Sequence, residues 1–224
     1  MSAVFKWAGG TMFVASLAYW LTWYLYLLDR PAAGGSGGPL AFDAALFTLF
    51  AAHHSILARN PVKRALTFIP PDLMRSVYVW TASVLLIAVC ALWRPIAGDV
   101  YRAAGAAAVG GAVVQAAGIW LIARSVARLD PLELAGIRSA SRAGEPLQTS
   151  GPYALVRHPL YLGWIVLVFA APHMTADRLA FAAISSGYLL IAVPWEERSL
   201  RQSFGDAYIR YEARVRWRVI PYVY

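Results

Sequence analysis

Arg157, His158, Tyr161, Glu196 and Glu197 are the side chains with the greatest chemical reach in this chain, and their spacing suggests one shared task. The first three belong to the run Gly151-Pro152-Tyr153-Ala154-Leu155-Val156-Arg157-His158-Pro159-Leu160-Tyr161-Leu162-Gly163, and the glutamate pair follows about 35 residues later. Phe204-Gly205-Asp206-Ala207-Tyr208-Ile209-Arg210-Tyr211 and Ile220-Pro221 come after it. Cations, an imidazole, phenols and paired carboxylates at both ends of one helical hairpin suit a polar ligand held at a membrane edge.

Each of these residues also has a plainer use. Pro159 fits the first position of a helix, which places Arg157 and His158 at its mouth and Tyr161 one turn inside. A basic residue and an interfacial histidine before a membrane helix are equally common as topogenic signals. Gly163 permits close approach of a ligand or of another helix. Glu196 and Glu197 follow Trp195 at the expected end of a helix, where the macrodipole disfavours carboxylates. They call for a cation, either Arg157 or a cationic ligand, and Glu197 has a second partner at i,i+4 in Arg201.

His53 and His54 fall inside an apolar block, where ionisable groups usually face a cavity or a bonded partner. With no Asp, Glu or Cys at ligand spacing they make a poor metal site, so no metal is expected and a hydrogen-bonded role in the bundle is. Arg75 and Tyr78 suit either a wall of the same vestibule or interfacial anchoring. The sequence has no phosphate-binding glycine loop, no hydrolase order of Ser, His and Asp, and no dinucleotide fingerprint. An enzyme built from this chain must bind its cofactor among helices.

The elements that must position these groups are apolar. The chain of 224 residues is 59% hydrophobic and 14% charged, the balance of a protein that uses the bilayer as solvent. Six blocks approach the length of a membrane helix: Phe5–Leu28, Leu40–Ala58, Arg75–Trp93, Ala104–Ala123, the short Pro159–Pro172, and Ala176–Trp195. The last two read as a tight antiparallel hairpin turning at His173-Met174-Thr175, its first arm tilted or only partly spanning. Gly34-Gly35-Ser36-Gly37-Gly38 reads as a flexible linker. Beyond the last block, Gly205 can end a helix and Asp206 cap the next, an amphipathic tail helix over Ala207–Arg218. Its Tyr208, Tyr211 and Val215 share one face, and Arg210, Arg214 and Arg218 another. The fold class is therefore all-α integral membrane, with about six transmembrane helices.

With the N-terminus inside, Lys6, Arg59, Lys63, Arg64, Arg75, Arg124, Arg128, Arg138, Arg142, Arg157 and the arginines from Arg198 to Arg218 are cytoplasmic, sixteen of the 20 basic residues. Only Arg30, Arg94, Arg102 and Arg178 lie outside. By the positive-inside rule both termini and the polar constellation are then cytoplasmic. The net charge of +8 is accounted for by topology and anionic lipid headgroups, not nucleic acid. The single cysteine, Cys90, excludes a disulfide framework, and Phe5–Leu28 lacks a signal-peptide cleavage site.

The pattern Gly-Pro-Tyr, Arg-His-Pro-x-Tyr-x-Gly, Glu-Glu-x-x-Leu, Phe-Gly-x-x-Tyr-x-x-Tyr and a closing Pro, over Thr149–Pro221, resembles the membrane methyltransferase superfamily typified by isoprenylcysteine carboxyl methyltransferase and phospholipid N-methyltransferases. Over nearly the whole chain the sequence is similar to the bacterial membrane-bound thiol methyltransferases, a group that includes methanethiol S-methyltransferase. The stretches that carry this wider likeness are His54-Ser55-Ile56-Leu57-Ala58, Arg75-Ser76-Val77-Tyr78-Val79, Leu92-Trp93-Arg94-Pro95-Ile96 and His158-Pro159-Leu160-Tyr161-Leu162-Gly163-Trp164. One stretch departs: Glu133-Leu134-Ala135-Gly136-Ile137-Arg138-Ser139 stands where that group reads Asp-Leu-Phe-Gly-Leu-Arg-Gln.

The resemblance implies a single methyltransferase domain over residues 1–224, with S-adenosylmethionine (SAM) bound by a portion at about 147–221. It implies Tyr153, His158, Tyr161, Glu196, Glu197, Tyr208 and Tyr211 as cofactor contacts, with Arg157 and His54 as catalytic candidates. Carboxylates and aromatic faces can hold a sulfonium, transfer needs mainly in-line placement, and a thiolate can be supported by a nearby arginine or histidine. The implied acceptor is a small thiol or similar amphiphile that enters from the lipid, in a bacterial inner membrane. Carboxyl methylation of a prenylated cysteine, a non-catalytic membrane subunit and a lipid-binding or transport protein are the alternatives, and the oligomeric state stays open.

Overall fold

The computed structural model describes residues 2–29, 37–57, 62, 65–138 and 147–224. Its helices are α1 (Ser2–Thr22, continued by a π-helical turn, Trp23–Leu27), α2 (Gly37–Ile56), α3 (Met74–Leu92), α4 (Gly105–Val126), the short α5 (Pro131–Leu134), α6 (Pro159–Phe169), α7 (Ala176–Phe204) and α8 (Asp206–Arg214). Two short strands, β1 (Asp99–Arg102) and β2 (His173–Thr175), pair with each other.

The protein is mostly helical and integral to the membrane. Among the described residues α3, α4 and α7 are long and apolar enough to cross a bilayer. On α4, Val109, Val113 and Trp120 are 64%, 62% and 62% exposed, which fits a helix whose outer face meets lipid rather than water. Helices α1 and α2 reach spanning length, about 30 Å at 1.5 Å per residue. Their aromatic, glycine and hydroxyl residues, and the Asp43 and histidines of α2, dilute their apolar character. Helix α6, with 11 residues, is only about 16 Å long.

Five expectations are corrected here. Gly37 and Gly38 open α2 and so belong to a helix, while Gly34–Ser36 lie outside the described residues. The hairpin turn at His173-Met174-Thr175 is strand β2, and Ala103 N, just after β1, donates to Pro172 O, just before β2, at 2.9 Å to continue the pairing. Helix α7 does not stop at Trp195. It runs through Pro194 to Phe204, so Glu196 and Glu197 sit inside a helix and the macrodipole penalty does not act on them. Gly205 ends α7, at φ +51 and ψ −130, a conformation that only glycine adopts without strain, and is itself the residue that starts α8. Asp206 is therefore the first helical residue and makes no cap bond, and α8 ends at Arg214 rather than Arg218.

The chain forms two compact units. The first contains Met1–Asp99, Asp130–Ser141 and Thr175–Arg178. Here Asp130 caps α5 by accepting from Leu132 N at 2.8 Å, and the following loop is tied to α3: Arg75 Nε donates to Glu133 O at 2.9 Å and Ser76 Oγ to Gly136 O. Two buried carboxylates hold the Trp93–Ile96 stretch, Asp177 accepting from Trp93 Nε1 and Ile96 N, and Asp43 from Arg94 N. Arg178 caps the open carbonyls that end the π-helical turn, donating to Leu25 O at 2.7 Å and pairing with Asp29.

The second unit contains Val100–Leu129, Arg142–Met174 and Leu179–Tyr224. Its seam is the contact of α4 with α6. A Cβ on Gly118 would lie 2.7 Å from Leu167 N, and one on Gly163 would lie 2.9 Å from Gly118 O. Gly163 thus serves helix packing. Gln115 Nε2 donates across the same seam to Leu167 O at 3.0 Å, and Trp164 Nε1 donates to Ser185 Oγ on α7 at 3.0 Å.

Because the atoms facing Gly118 and Gly163 are mostly backbone, neither can move aside. Gly118→Ala and Gly163→Ala should each lower stability by about 1–3 kcal/mol, the usual penalty of overpacking, measured by thermal unfolding in detergent. Gly110→Ala, which meets open space, should be neutral or stabilising in the same assay.

Candidate functional site

The polar cluster of the second unit starts from a backbone feature. Arg157 lies in a bend and His158 has φ −123 and ψ 65, and their amides donate to Trp217 O at 2.9 Å and Arg218 O at 2.8 Å. This two-rung ladder places both side chains just ahead of α6, whose first residue is Pro159. Upstream, Gly151 (φ +62), on which a Cβ would lie 3.0 Å from Arg128 Nη2, opens a single 3₁₀ turn that carries Tyr153.

Glu197 is the centre. Its side chain is 1% exposed, and Arg157 Nε donates to its Oε1 at 2.6 Å while Arg218 Nε stands 3.1 Å from its Oε2. Arg157 Nη1 donates to both Val215 O at 2.8 Å and Arg216 O at 2.9 Å. The cation that the glutamate pair calls for is therefore Arg157, joined by Arg218. Arg201 reaches Glu197 only at 4.0 Å and instead forms a two-point contact with Glu212, at 2.7 and 2.8 Å. Glu197 lies beyond the apolar stretch Ala176–Trp195. Burial pushes its carboxyl up, but His158 and Arg157 beside it more than reverse this and bring it to about 2.

Glu196 differs from its neighbour. It is 43% exposed, and its Oε2 accepts from Tyr161 Oη at 2.7 Å and lies 3.6 Å from His158 Nδ1. The His158 and Tyr161 rings stack at 5.4 Å with 12° between their planes. The result is a half-open carboxylate beside a flat imidazole–phenol face, resting on the buried Arg157–Glu197 pair that the partly exposed Arg218 joins. Such an edge accepts hydrogen bonds and attracts a cation, and it offers no activated nucleophile.

Helix α8 covers the cluster. Tyr208, Tyr211 and Val215 are buried against Leu147, Leu200 and Phe204, on the shared face expected. Burial raises the phenols of both tyrosines, and Glu197 raises that of Tyr208 further, so both stay protonated. Tyr211 Oη donates to Tyr153 O at 2.7 Å, whereas the buried Tyr208 Oη has no hydrogen-bond partner among the described residues. Burial, then Glu196, raises Tyr153.

The second unit thus holds Tyr153, Arg157, His158, Tyr161, Glu196, Glu197, Tyr208 and Tyr211. His54 belongs to the first, where it is exposed and packs on Phe50 at 5.5 Å and on Tyr78 at 5.4 Å. His53 stacks on Tyr78 at 5.3 Å, and neither of its nitrogens has a hydrogen-bond partner among the described residues. Aromatic contact replaces the hydrogen-bonded role expected of this pair. Arg75 belongs to the same unit, its guanidinium 5.3 Å from the Tyr78 ring. No group of three or more metal-ligating side chains occurs among the described residues.

Sequence reasoning missed Arg218 and Glu212. Arg218 was assigned to an arginine face of α8, but the helix has ended by then and the side chain turns onto Glu197. Glu212 carries a signal, since it lies four residues from Tyr208 and so flanks the buried face.

The chain is 38% identical over 197 residues to methanethiol S-methyltransferase 2 of Bradyrhizobium diazoefficiens, covering 84% of this chain and 76% of the relative. It is 36% identical over 203 residues to methanethiol S-methyltransferase of Mycobacterium tuberculosis, covering 84% and 81%. A more distant likeness, 30% over 195 residues, covers 80% of this chain and 73% of Nurim from Pan troglodytes. No family model matches the chain, and no solved structure matches it.

Removing one partner of a buried ion pair leaves the other uncompensated. Arg157→Ala should therefore lower the unfolding free energy by about 3–5 kcal/mol, whereas the half-exposed Glu196→Gln should change it by no more than about 0.5 kcal/mol. Because Glu197 titrates lower in the folded state, its stabilisation is complete above the ordinary carboxylate range and is lost as pH falls toward about 2. Denaturation of Glu197→Gln should accordingly show a weaker acid dependence than that of the wild type between pH 5 and 2.

Proposed function

Since the chain belongs to the family of the methanethiol S-methyltransferases, we propose that it is an integral membrane methyltransferase that moves a methyl group from SAM to a small thiol. The observation that carries this reading is the identity of 34–38% with several such enzymes over most of the chain. The polar edge of the second unit supports it independently.

The donor set suits SAM. Its sulfonium and ammonium groups are cations, and Glu196 is the carboxylate with an open side. The flat His158–Tyr161 pair suits an aromatic or cationic partner, and Tyr208 Oη has a hydrogen bond to give. When bound, SAM would supply a methyl group on positively charged sulfur, activated for transfer to the acceptor sulfur. The chain's residues then have three tasks. Glu196, His158, Tyr161 and Tyr208 contact the donor, with Tyr153 closing the edge. Glu197 and Arg157, paired with each other, and Tyr211, which donates to Tyr153 O, position those contacts. The thiol must also lose its proton, and the candidate for that role in the sequence, His54, belongs to the first unit.

The proposed acceptor is a small alkyl or aryl thiol. Ala135 and Ser139 replace larger residues of the related group, which leaves room for more than methanethiol if the loop borders the acceptor. Ala135 adjoins the loop that packs on Gly10 of α1, while Ser139 lies outside the described residues. The proposed setting is a bacterial inner membrane, with six spans and both termini cytoplasmic, on the strength of the division of basic residues between the two sides.

Three measurements test this reading. In calorimetry with S-adenosylhomocysteine, Glu196→Ala should weaken binding by about 2–5 kcal/mol, as for loss of one partner of a charged contact. Unchanged affinity would remove Glu196 from the donor site. In a competition assay with labelled SAM, rates should rise along an alkyl thiol series by up to about fourfold per methylene, from ~0.8 kcal/mol each, and exceed that on a farnesylated cysteine analogue. Exclusive carboxyl methylation would refute the thiol assignment. A cysteine placed at Gly35 should react with an impermeant reagent from outside and one placed at Thr149 should not, and the reverse would overturn the topology.

A further inference from the structure

Residues Val215–Tyr224 make a compact turn in the second unit with a feature that fold stability alone does not explain. Tyr222 adopts φ +65, the left-handed region that a bulky side chain disfavours. Its side chain is 86% exposed, so burial does not compensate that conformation. The turn holds it from both sides. Val223 N and Tyr224 N donate back to Ile220 O at 3.1 and 2.9 Å, and the backbone oxygen of Tyr224 accepts from Arg218 N, Val219 N and Ile220 N at 3.0, 2.9 and 3.1 Å. Strain maintained in this way marks a segment whose position matters.

What the turn delivers is Tyr224 to Arg218. Arg218 Nη1 donates to Tyr224 Oη at 3.3 Å, and its guanidinium lies 5.2 Å from the centre of the Tyr224 ring. The same Arg218 reaches Glu197 Oε2 at 3.1 Å through Nε, and its carbonyl accepts from His158 N at 2.8 Å. A long, partly exposed arginine has many rotamers. Stacking on Tyr224 selects the one that joins the buried Arg157–Glu197 pair. Trp217, whose ring lies 5.2 Å from that of Tyr222, supplies the other rung of the ladder.

We propose that Pro221–Tyr224 is a latch that holds Arg218 against Glu197, and so fixes the Arg157–His158 segment and the donor-binding edge built on it. Arg218 and Tyr224 are positioning residues. The donor-binding part of this proposal rests on the methyltransferase reading, and the latch itself does not.

Two substitutions at the exposed Tyr222 separate backbone geometry from side-chain loss. Tyr222→Pro forces φ to about −65° and must open the turn, while Tyr222→Gly accepts the observed φ. The readouts on full-length protein in nanodiscs are amide exchange of the peptide containing Arg157 and His158, affinity for S-adenosylhomocysteine, and thermal midpoint. Tyr222→Pro and Tyr224→Ala should speed that exchange at least tenfold and weaken the affinity about tenfold, with the folded state retained at assay temperature. Tyr222→Gly should match the wild type. Unchanged exchange in both Tyr222→Pro and Tyr224→Ala overturns the latch, and faster exchange with wild-type affinity overturns its positioning role. If the wild type itself does not bind S-adenosylhomocysteine, the donor reading fails, and the exchange measurement alone decides the latch.

Discussion

A carboxylate taken out of water must be paired, and Glu197 imposes that requirement on the whole second unit. With a side chain only 1% exposed, it needs charge and hydrogen bonds from groups far away in sequence. Arg157 comes from 40 positions earlier and Arg218 from the segment beyond α8. Bringing them together sets the Arg157–His158 ladder against Trp217 and Arg218, and that ladder sets the start of α6. The adjacent Glu196 is then left half-open beside the His158–Tyr161 stack. One glutamate is buried and paired while its neighbour stays half-exposed, a difference that their identical chemistry alone does not reveal.

The bilayer explains the form of the scaffold around this cluster. Apolar helices gain little by burying side chains in a solvent as apolar as themselves, so close backbone approach and satisfied polar groups decide how they pack. Gly118 against Gly163, with Gln115 bonded to Leu167 O, is that solution in the second unit. In the first unit, Gly9 receives Trp80 and Gly10 receives Ile137, while buried Asp43 and Asp177 bind the main chain where α3 gives way to irregular structure.

Much of the site was legible because polar residues bordering apolar blocks are few and each needs a reason. That logic singled out Arg157, His158, Tyr161 and the glutamate pair, and asked for the cation that Arg157 provides. Gly205 was legible as a helix stop for the same local reason. The end of α7 was not, because a helix that leaves the membrane keeps its own hydrogen bonds and can run on past Trp195 into water. Arg218 looked like one more topogenic arginine, since its role depends on a turn completed only by Tyr224. Asp43 and Asp177 bind mostly backbone amides, which leave no trace in residue types. The β1–β2 pair escaped notice because strands of four and three residues carry too little alternation to read.

The methyl donor is proposed to bind at the Glu196 edge of the second unit. Ultraviolet cross-linking of radiolabelled SAM to the reconstituted protein, followed by peptide mapping, tests it most directly. Label should appear in peptides covering Tyr153–Tyr161 or Glu196–Tyr208 and should be displaced by unlabelled S-adenosylhomocysteine. Displaceable label confined to peptides from Met1–Asp99, or none at all, would contradict the account.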